Sequence, residues 1–355
     1  MATATNQLAL FPTGGFPKVA KSYPMMRYMG SKFRLLPWIH NVLMEIDFET
    51  VLDGFSGSGC VGYLLKAMGK KVHSADFLNF PTVLATALVE NPGIILDAPD
   101  LERLLCYDPR HRRFIESTFE GIFYTTDDLR LLDRLSWNIR KFRNKYKRAL
   151  ATSALIRSCA KRQPRGVFTV AGDPEKYKDG RRDLKLSIRE HFEENVATYN
   201  AAVFDNGRDN VASRTDIFGA TNSVDLVYLD PPYVPRADDN CYMKRYHFLE
   251  GLSCYWDGVE IMETSRVKKI AKPYTPFSYR KSAADAFDRM FSHFKHSIIV
   301  LSYSSNGFPD LCELVAIMER YKRKVTVNQR DHRYHFGTHG SATRNEVTEY
   351  LVIGE

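Results

Sequence analysis

No stretch of this chain approaches the roughly eighteen consecutive apolar residues of a membrane-spanning helix, so a helical membrane protein is not expected. Its first residues, MATATNQLALFPTGGFPKVAKSYP, also lack the charged-then-apolar layout of a secretory signal, and the cytosol is the expected compartment. Cysteine is sparse and scattered, with six residues at 60, 106, 159, 241, 254 and 312 and no C-x-x-C pair. That spacing suggests neither a zinc knuckle nor a disulfide framework, and reduced, mostly buried thiols are the expectation. Internal repeats and low-complexity tracts are missing too. Acid is in deficit, with 42 Asp and Glu against 50 Lys and Arg, for a net charge of +8 and a pI near 9.0. An excess of that sign favours a polyanionic partner but says nothing of fold. What is present is otherwise ordinary: 355 residues, 44% hydrophobic and 26% charged, are enough for about two domains with a sizeable core.

The most informative stretch is Asp230-Pro231-Pro232-Tyr233, at the end of the run Val224 to Leu229. Neither proline has an N–H to give a sheet ladder and each fixes φ, so a strand must stop there. An acid, a rigid carbonyl and an aromatic face are thereby left at the carboxyl edge of a buried strand, where open α/β sheets bind ligands. Together they suit a planar ring carrying an amino group. The Asp230 carboxylate and the Pro231 carbonyl can accept the two amino hydrogens while Tyr233 offers a stacking face. Held so, the nitrogen lone pair leaves conjugation and can be alkylated. The plain alternative is a chance strand end followed by a proline-rich turn.

A second unit precedes it. Thr50 to Asp53 reads as a short buried strand, Gly54 to Gly59 as a turn, Cys60 to Met68 as a helix stopping at Gly69, and Lys71 to Ala75 as a strand ending on Asp76. Residues 79–90 then read as another helix. Strand, glycine turn, helix, strand and acid make a βαβ unit, which implies a parallel sheet. Gly57 and Gly59 would let a ligand approach the backbone, and Asp76 is placed to hold ribose hydroxyls, so a nucleotide-type ligand is expected. The competing reading is a turn that needs glycine for steric reasons alone.

From about 95 to 210 the chain becomes helical and basic, with Thr125 or Thr126 as a helix cap. Residues 130–182 hold 16 Lys and Arg against 4 acids, a balance of +12 that exceeds the net charge of the whole chain. Aromatic and turn residues interleave these cations, which favours a nucleic-acid backbone site over a merely solvated face. Lys161, Arg162, Arg165, Lys176, Lys178, Arg181 and Arg182 are the candidate contacts, and Arg165 to Phe168 with Gly172 to Pro174 suggests a hairpin or loop able to enter a groove.

The α/β pattern returns at Asn210. Residues 234–280 read as a long connection rich in Tyr, Lys and Arg, as a lid or strand-gripping segment would be. Ser282 is expected to cap a helix, residues 297–303 to form an apolar strand, and KVTVNQR with EVTEYLVI to close the sheet. His332, His335 and His339 do not make a metal site, because Gly337 interrupts their spacing and no carboxylate or cysteine joins them. No metal is expected.

In this order, RYMGSK at 27–32, DGFSGSG at 53–59, Asp76, Asp216, DPPY at 230–233, YHFLEGL at 246–252, LSYSSNG at 301–307 and NEVTEYLVI resemble the prokaryotic DNA adenine-N6 methyltransferases of the DNA adenine methylase type, in their α-type motif order. The resemblance implies an α/β fold: a Rossmann-like, S-adenosylmethionine-dependent methyltransferase sheet formed by residues 1–94 and 211–355, with an inserted, mainly helical target-recognition domain at 95–210. It implies that Tyr28 and Lys32 contact S-adenosylmethionine, that Asp53, Phe55, Gly57 and Gly59 shape its pocket, and that Asp76 binds its ribose. Asp216, with Ile217 beside it, would meet its adenine, and Asp230, Pro231, Pro232 and Tyr233 would hold the target base. Double-stranded DNA is the implied partner, a cognate restriction endonuclease a possible second, and the nucleoid the implied location. Methylation of cytosine N4 asks for the same amine-holding geometry, but a serine more often leads that motif in the resembling families. A catalytically silent DNA-binding protein with this fold is the alternative from another class.

Overall fold

Short, nearly unbroken apolar runs build the centre of the molecule, as strands covered on both faces require. The computed structural model describes residues 15–164, 166–171, 180–232, 234–235, 242–333 and 346–355. Its strands are β1 (Thr50–Asp53), β2 (Lys71–Asp76), β3 (Val211–Arg214), β4 (Leu226–Leu229), β5 (Val234–Pro235), β6 (Ile298–Ser304), β7 (Gly307–Phe308), β8 (Val325–Arg333) and β9 (Glu346–Gly354). The α-helices before β3 are α1 (Leu36–Leu43), α2 (Cys60–Ala67), α3 (Asn79–Ala85), α4 (Ala98–Leu105), α5 (Phe114–Phe119), α6 (Thr126–Ile139), α7 (Lys145–Arg162), α8 (Arg182–Lys185) and α9 (Ile188–Ala202). After it come α10 (Tyr242–Cys254), α11 (Arg280–His293) and α12 (Leu311–Met318).

Seven strands form one sheet in the order β3-β2-β1-β4-β6-β9-β8, parallel from β3 to β6, with β9 antiparallel to both of its neighbours. β5 and β7 pair separately. Successive side chains of a strand point to opposite faces, and the core divides accordingly. Val51, Leu226, Tyr228 and Val300 join a cluster shared with the helices between β2 and β3, while Leu52, Val227, Leu229, Ile299 and Leu301 join one shared with α11 and α12.

Local signals behave largely as the sequence suggests. Thr125 caps α6, its hydroxyl accepting from Asp128 N at 3.2 Å. The expected helix over 79–90 is α3 followed by a single π turn, Thr86–Glu90. Two expectations change. α11 begins at Arg280, two residues ahead of Ser282, whose hydroxyl instead donates to Pro276 O at 2.8 Å. The connection after β5 contains α10, with Met243, Tyr246, Phe248, Leu249 and Leu252 buried and Lys244 exposed, and with a kink at Tyr246 (φ −118°, ψ 15°). The kink shifts the helical phase midway, so no single apolar stripe runs through the segment to betray it in sequence.

Candidate active site

Parallel strands bring their carboxyl ends to one edge, and here that edge carries three acids. Asp53 ends β1 and pairs in register with Ser74 of β2 and Tyr228 of β4, so Asp76 and Asp230 each lie two residues farther along the flanking strands. The turn after β1 is pinned between the same strands, Gly54 N donating to Tyr228 O and Ser56 N to Ala75 O, both at 3.0 Å. A Cβ on Gly54 would stand 2.6 Å from Ile217 Cδ1, which fixes glycine there. Gly57 and Gly59 have φ of +48° and +80°, the left-handed region that glycine enters without penalty. The Asp76 carboxylate closes the turn, accepting from Gly57 N at 3.0 Å and Leu78 N at 2.9 Å.

Beyond these residues opens a cavity enclosing about 810 Å³ of atom-free space, its mouth included. Tyr28, Lys32, Asp53, Phe55, Gly57, Asp76, Asp230 and Pro232 all line it, so segments far apart in sequence meet as expected. Gly59 stands at the N-cap position of α2, and Pro231 is buried behind Pro232. Asp216 and Ile217 do not line the cavity. Asp216 is exposed and accepts from Phe218 N at 2.9 Å, and Ile217 is buried in the core behind Gly54. Tyr233 lies outside the described residues.

Burial is the first influence on all three acids. It lifts Asp53 to about 8, with help from the neighbouring Asp230 and Asp76, which favours its neutral form. Asp76 is lifted to about 6, its backbone hydrogen bonds opposing the rise. Asp230 is raised by burial and lowered by Lys32, whose ammonium sits 3.1 Å from Asp230 Oδ1 while only 4% exposed.

Several parts of this site were not evident from sequence. Lys272, Pro273, Thr275 and Ser278 line the cavity from the connection before α11. Met243 lines it from α10, and Tyr246 of the same helix stacks on Tyr28 at 5.0 Å and 14° while its hydroxyl accepts from Met29 N at 2.6 Å. Glu250, one turn on, accepts from Asn79 N at 2.9 Å and Phe80 N at 3.0 Å and so caps the helix that follows Asp76. No periodicity announces these contacts; YHFLEGL marked the segment only as a motif.

The basic insert spends much of its charge internally. Arg162 is buried, donates to Leu184 O and pairs with Asp128 at 3.6 Å, which corrects the expectation of a phosphate contact there: its charge is consumed inside the fold. Lys161 stands 3.6 Å from Asp183, Arg181 donates to Pro164 O at 2.9 Å, and exposed Arg182 pairs with Glu194. Arg165, Lys176 and Lys178 lie outside the described residues. Among the described residues no three His, Cys, Asp or Glu side chains could together hold a metal, and no helix is long and apolar enough to cross a membrane. His332 is described; His335 and His339 are not.

Comparison with known proteins places the whole chain in a family. The family model for D12 class N6 adenine-specific DNA methyltransferases matches residues 28–306, from the tyrosine over the glycine turn to the loop after β6. The chain is 31% identical to the type II methyltransferase M2.HphI of Haemophilus parahaemolyticus over 94% of its own length and 98% of the relative's. It is 24% identical to M.NlaIII of Neisseria lactamica, over 93% and 99%. With M.FokI of Planomicrobium okeanokoites it shares 25% identity, spanning 79% of this chain and 45% of that larger protein. An adenine-specific family decides against the cytosine alternative and against a silent DNA-binding protein. The chain belongs to the D12 class of N6 adenine-specific DNA methyltransferases.

Proposed function

We propose that the enzyme draws the methyl group from S-adenosylmethionine held in the cavity beside Asp76, and that it acts on an adenine turned out of duplex DNA against Asp230. The observation carrying this reading is that Asp76 and Asp230, the acids suited to a ribose and to an aromatic amine, line one cavity on either side of the glycine turn. The donor set fits such a cofactor: the Ser56 hydroxyl is buried on the cavity wall with no hydrogen-bond partner among the described residues, and any Cβ on Gly57 would press on the Tyr28 ring at 3.3 Å. Bound there, S-adenosylmethionine supplies a methyl carbon made electrophilic by its sulfonium.

The remaining work falls to this chain. Asp76 would accept from ribose hydroxyls, with Phe55 and Tyr28 closing over the rest of the molecule. Asp230 and the Pro231 carbonyl would each accept one amino hydrogen of the adenine, orienting the N6 lone pair toward the bound methyl donor, and the proton that N6 sheds would leave to solvent through the mouth of the cavity. A stacked base cannot reach this edge, so its extrusion, at a few kcal/mol, is part of the proposal, with Tyr233 as the stacking face. Residues 95–210 would serve as the target-recognition unit, Lys161, Arg165, Lys176, Lys178, Arg181 and Arg182 supplying cations along the backbone. The type II names of the relatives favour a partner restriction endonuclease, and a DNA substrate favours the cytoplasm.

Purified protein given methyl-labelled S-adenosylmethionine and duplex genomic DNA is expected to place label in N6-methyladenine; label confined to N4-methylcytosine would overturn the reading. In the same assay, replacing Arg165, Lys176 and Lys178 with Ala should weaken DNA binding and reduce its salt slope by about 0.9 for each phosphate no longer neutralised. An unaltered slope would move the DNA path elsewhere.

A further inference from the structure

Resting on the assignment of Asp230 as the acceptor for the target amine, we propose that Glu349 is a positioning residue for methyl transfer: it fixes the Lys32 ammonium beside Asp230 and takes up part of its charge. Glu349 lies on β9, opposite Ser304 of β6 and Arg330 of β8, and is fully buried. Lys32 opens the 3-10 turn Lys32–Leu35 that precedes α1. Its Nζ stands 3.1 Å from Asp230 Oδ1 and 3.7 Å from Glu349 Oε2, so one buried cation bridges two carboxylates that approach from different strands.

The arrangement resolves a conflict in the chemistry. Asp230 works as an acceptor, and a carboxylate with only 21% of its side chain exposed is held ionised more easily with a cation nearby. A cation facing it alone would bring its whole charge to bear on this one carboxylate and leave a weaker acceptor for the amino group. Sharing the ammonium with Glu349 keeps Asp230 charged without exhausting it. An ammonium has three donors and no acceptor, so Lys32 cannot take the proton lost from N6 and acts only through its charge. Among the described residues, Asp53, Cys60 and Tyr228 are further ionisable groups near Asp230. Behind the bridge His332 of β8 faces both Glu349 and Lys32, with Arg34 and Arg330 also near it. Glu349 raises the Asp230 carboxyl and Lys32 lowers it, after the larger effect of burial.

The test is Glu349→Gln, which keeps shape and removes charge. With that upward influence gone, the Asp230 midpoint, followed by carboxyl ¹³C NMR and assigned with Asp230→Asn, should fall by roughly one pH unit. Because the ionised acid is the working form, the acid limb of the single-turnover rate should move to lower pH by the same interval. The plateau should drop roughly ten-fold as the whole Lys32 charge falls on Asp230, with S-adenosylmethionine affinity unchanged. In a Lys32→Gln background the Glu349 substitution should still lower the midpoint, because a nearby negative charge is removed directly, but it should leave the plateau unmoved. An unmoved midpoint or plateau in Glu349→Gln alone, or the same plateau loss without Lys32, overturns the proposal. Should Glu349→Gln prove insoluble, recovery of soluble protein on adding Lys32→Gln supports the bridge, and failure to recover counts against it. The NMR titration needs no turnover, so an enzyme that labels no adenine would defeat the functional reading separately.

Discussion

Asp230→Ala is expected to lower the methyl-transfer rate constant by about a thousand-fold or more, at the upper end of what losing one preorganised polar group costs. Affinity for S-adenosylmethionine should stay within a few-fold, because Asp76 and the glycine turn belong to other strands. Two losses combine in this variant. The amino group of the base loses the acceptor that orients its lone pair, and Lys32, 4% exposed and 3.1 Å from the missing oxygen, is left with Glu349 at 3.7 Å to offset its charge. Asp230→Asn separates them, since it retains an acceptor oxygen and forfeits only the charge, and it should be intermediate. Single-turnover methylation alongside calorimetric cofactor titration makes the measurement. Wild-type turnover in Asp230→Ala would remove this residue from the mechanism.

Phe248→Ala should destabilise the protein by about 3–5 kcal/mol, the usual cost of emptying an aromatic site that cannot collapse. Phe248 is fully buried on α10 and its ring centroid lies 5.0 Å from Phe119, 5.4 Å from Phe123, 5.5 Å from Tyr124, 5.0 Å from Phe168 and 5.3 Å from Trp256. Four of those five partners belong to the region between β2 and β3, whereas α10 itself also touches the cavity. Further ties run the same way: Phe168 N donates to Arg245 O at 2.8 Å, and the His247 imidazole, which burial lowers to about 4 and keeps neutral, donates from Nε2 to Phe168 O at 2.8 Å. Urea unfolding should therefore show a single transition moving to lower denaturant. A separate early transition, with the remainder keeping its original midpoint, would mean that the helical region is only loosely joined to the sheet.

What could be read from sequence and what could not divide along a physical line. The unit from Thr50 to Asp76 was legible because its signals are local: apolar runs, glycines with positive φ, and an acid at a strand end. Asp230 was legible because two prolines must break a strand. The same reasoning could not see that Arg162 is buried against Asp128, since a count of charges does not say which way a side chain points. It also missed α10, because the kink at Tyr246 breaks the helical period midway, and Asp216 and Ile217 were assigned to the cofactor by resemblance rather than by any local signal. Glu250, Glu349 and the Lys32 bridge depend on contacts between segments more than a hundred residues apart, which no local pattern encodes.

The place of β9 also sets the order in which the sheet and the Lys32 bridge can be completed during synthesis. This strand fills the gap between β6 and β8, so a nascent chain that has emerged from the ribosome only as far as β8 leaves one edge of β6 unpaired and the gap unfilled. Such an intermediate already carries Asp76 and Asp230 but lacks Glu349, and the Lys32 ammonium then bears on Asp230 without its counterweight. The Lys32 ammonium thus gains its second carboxylate only once residues 346–354 are in place, and until then the open edge of β6 is a site for non-native strand pairing.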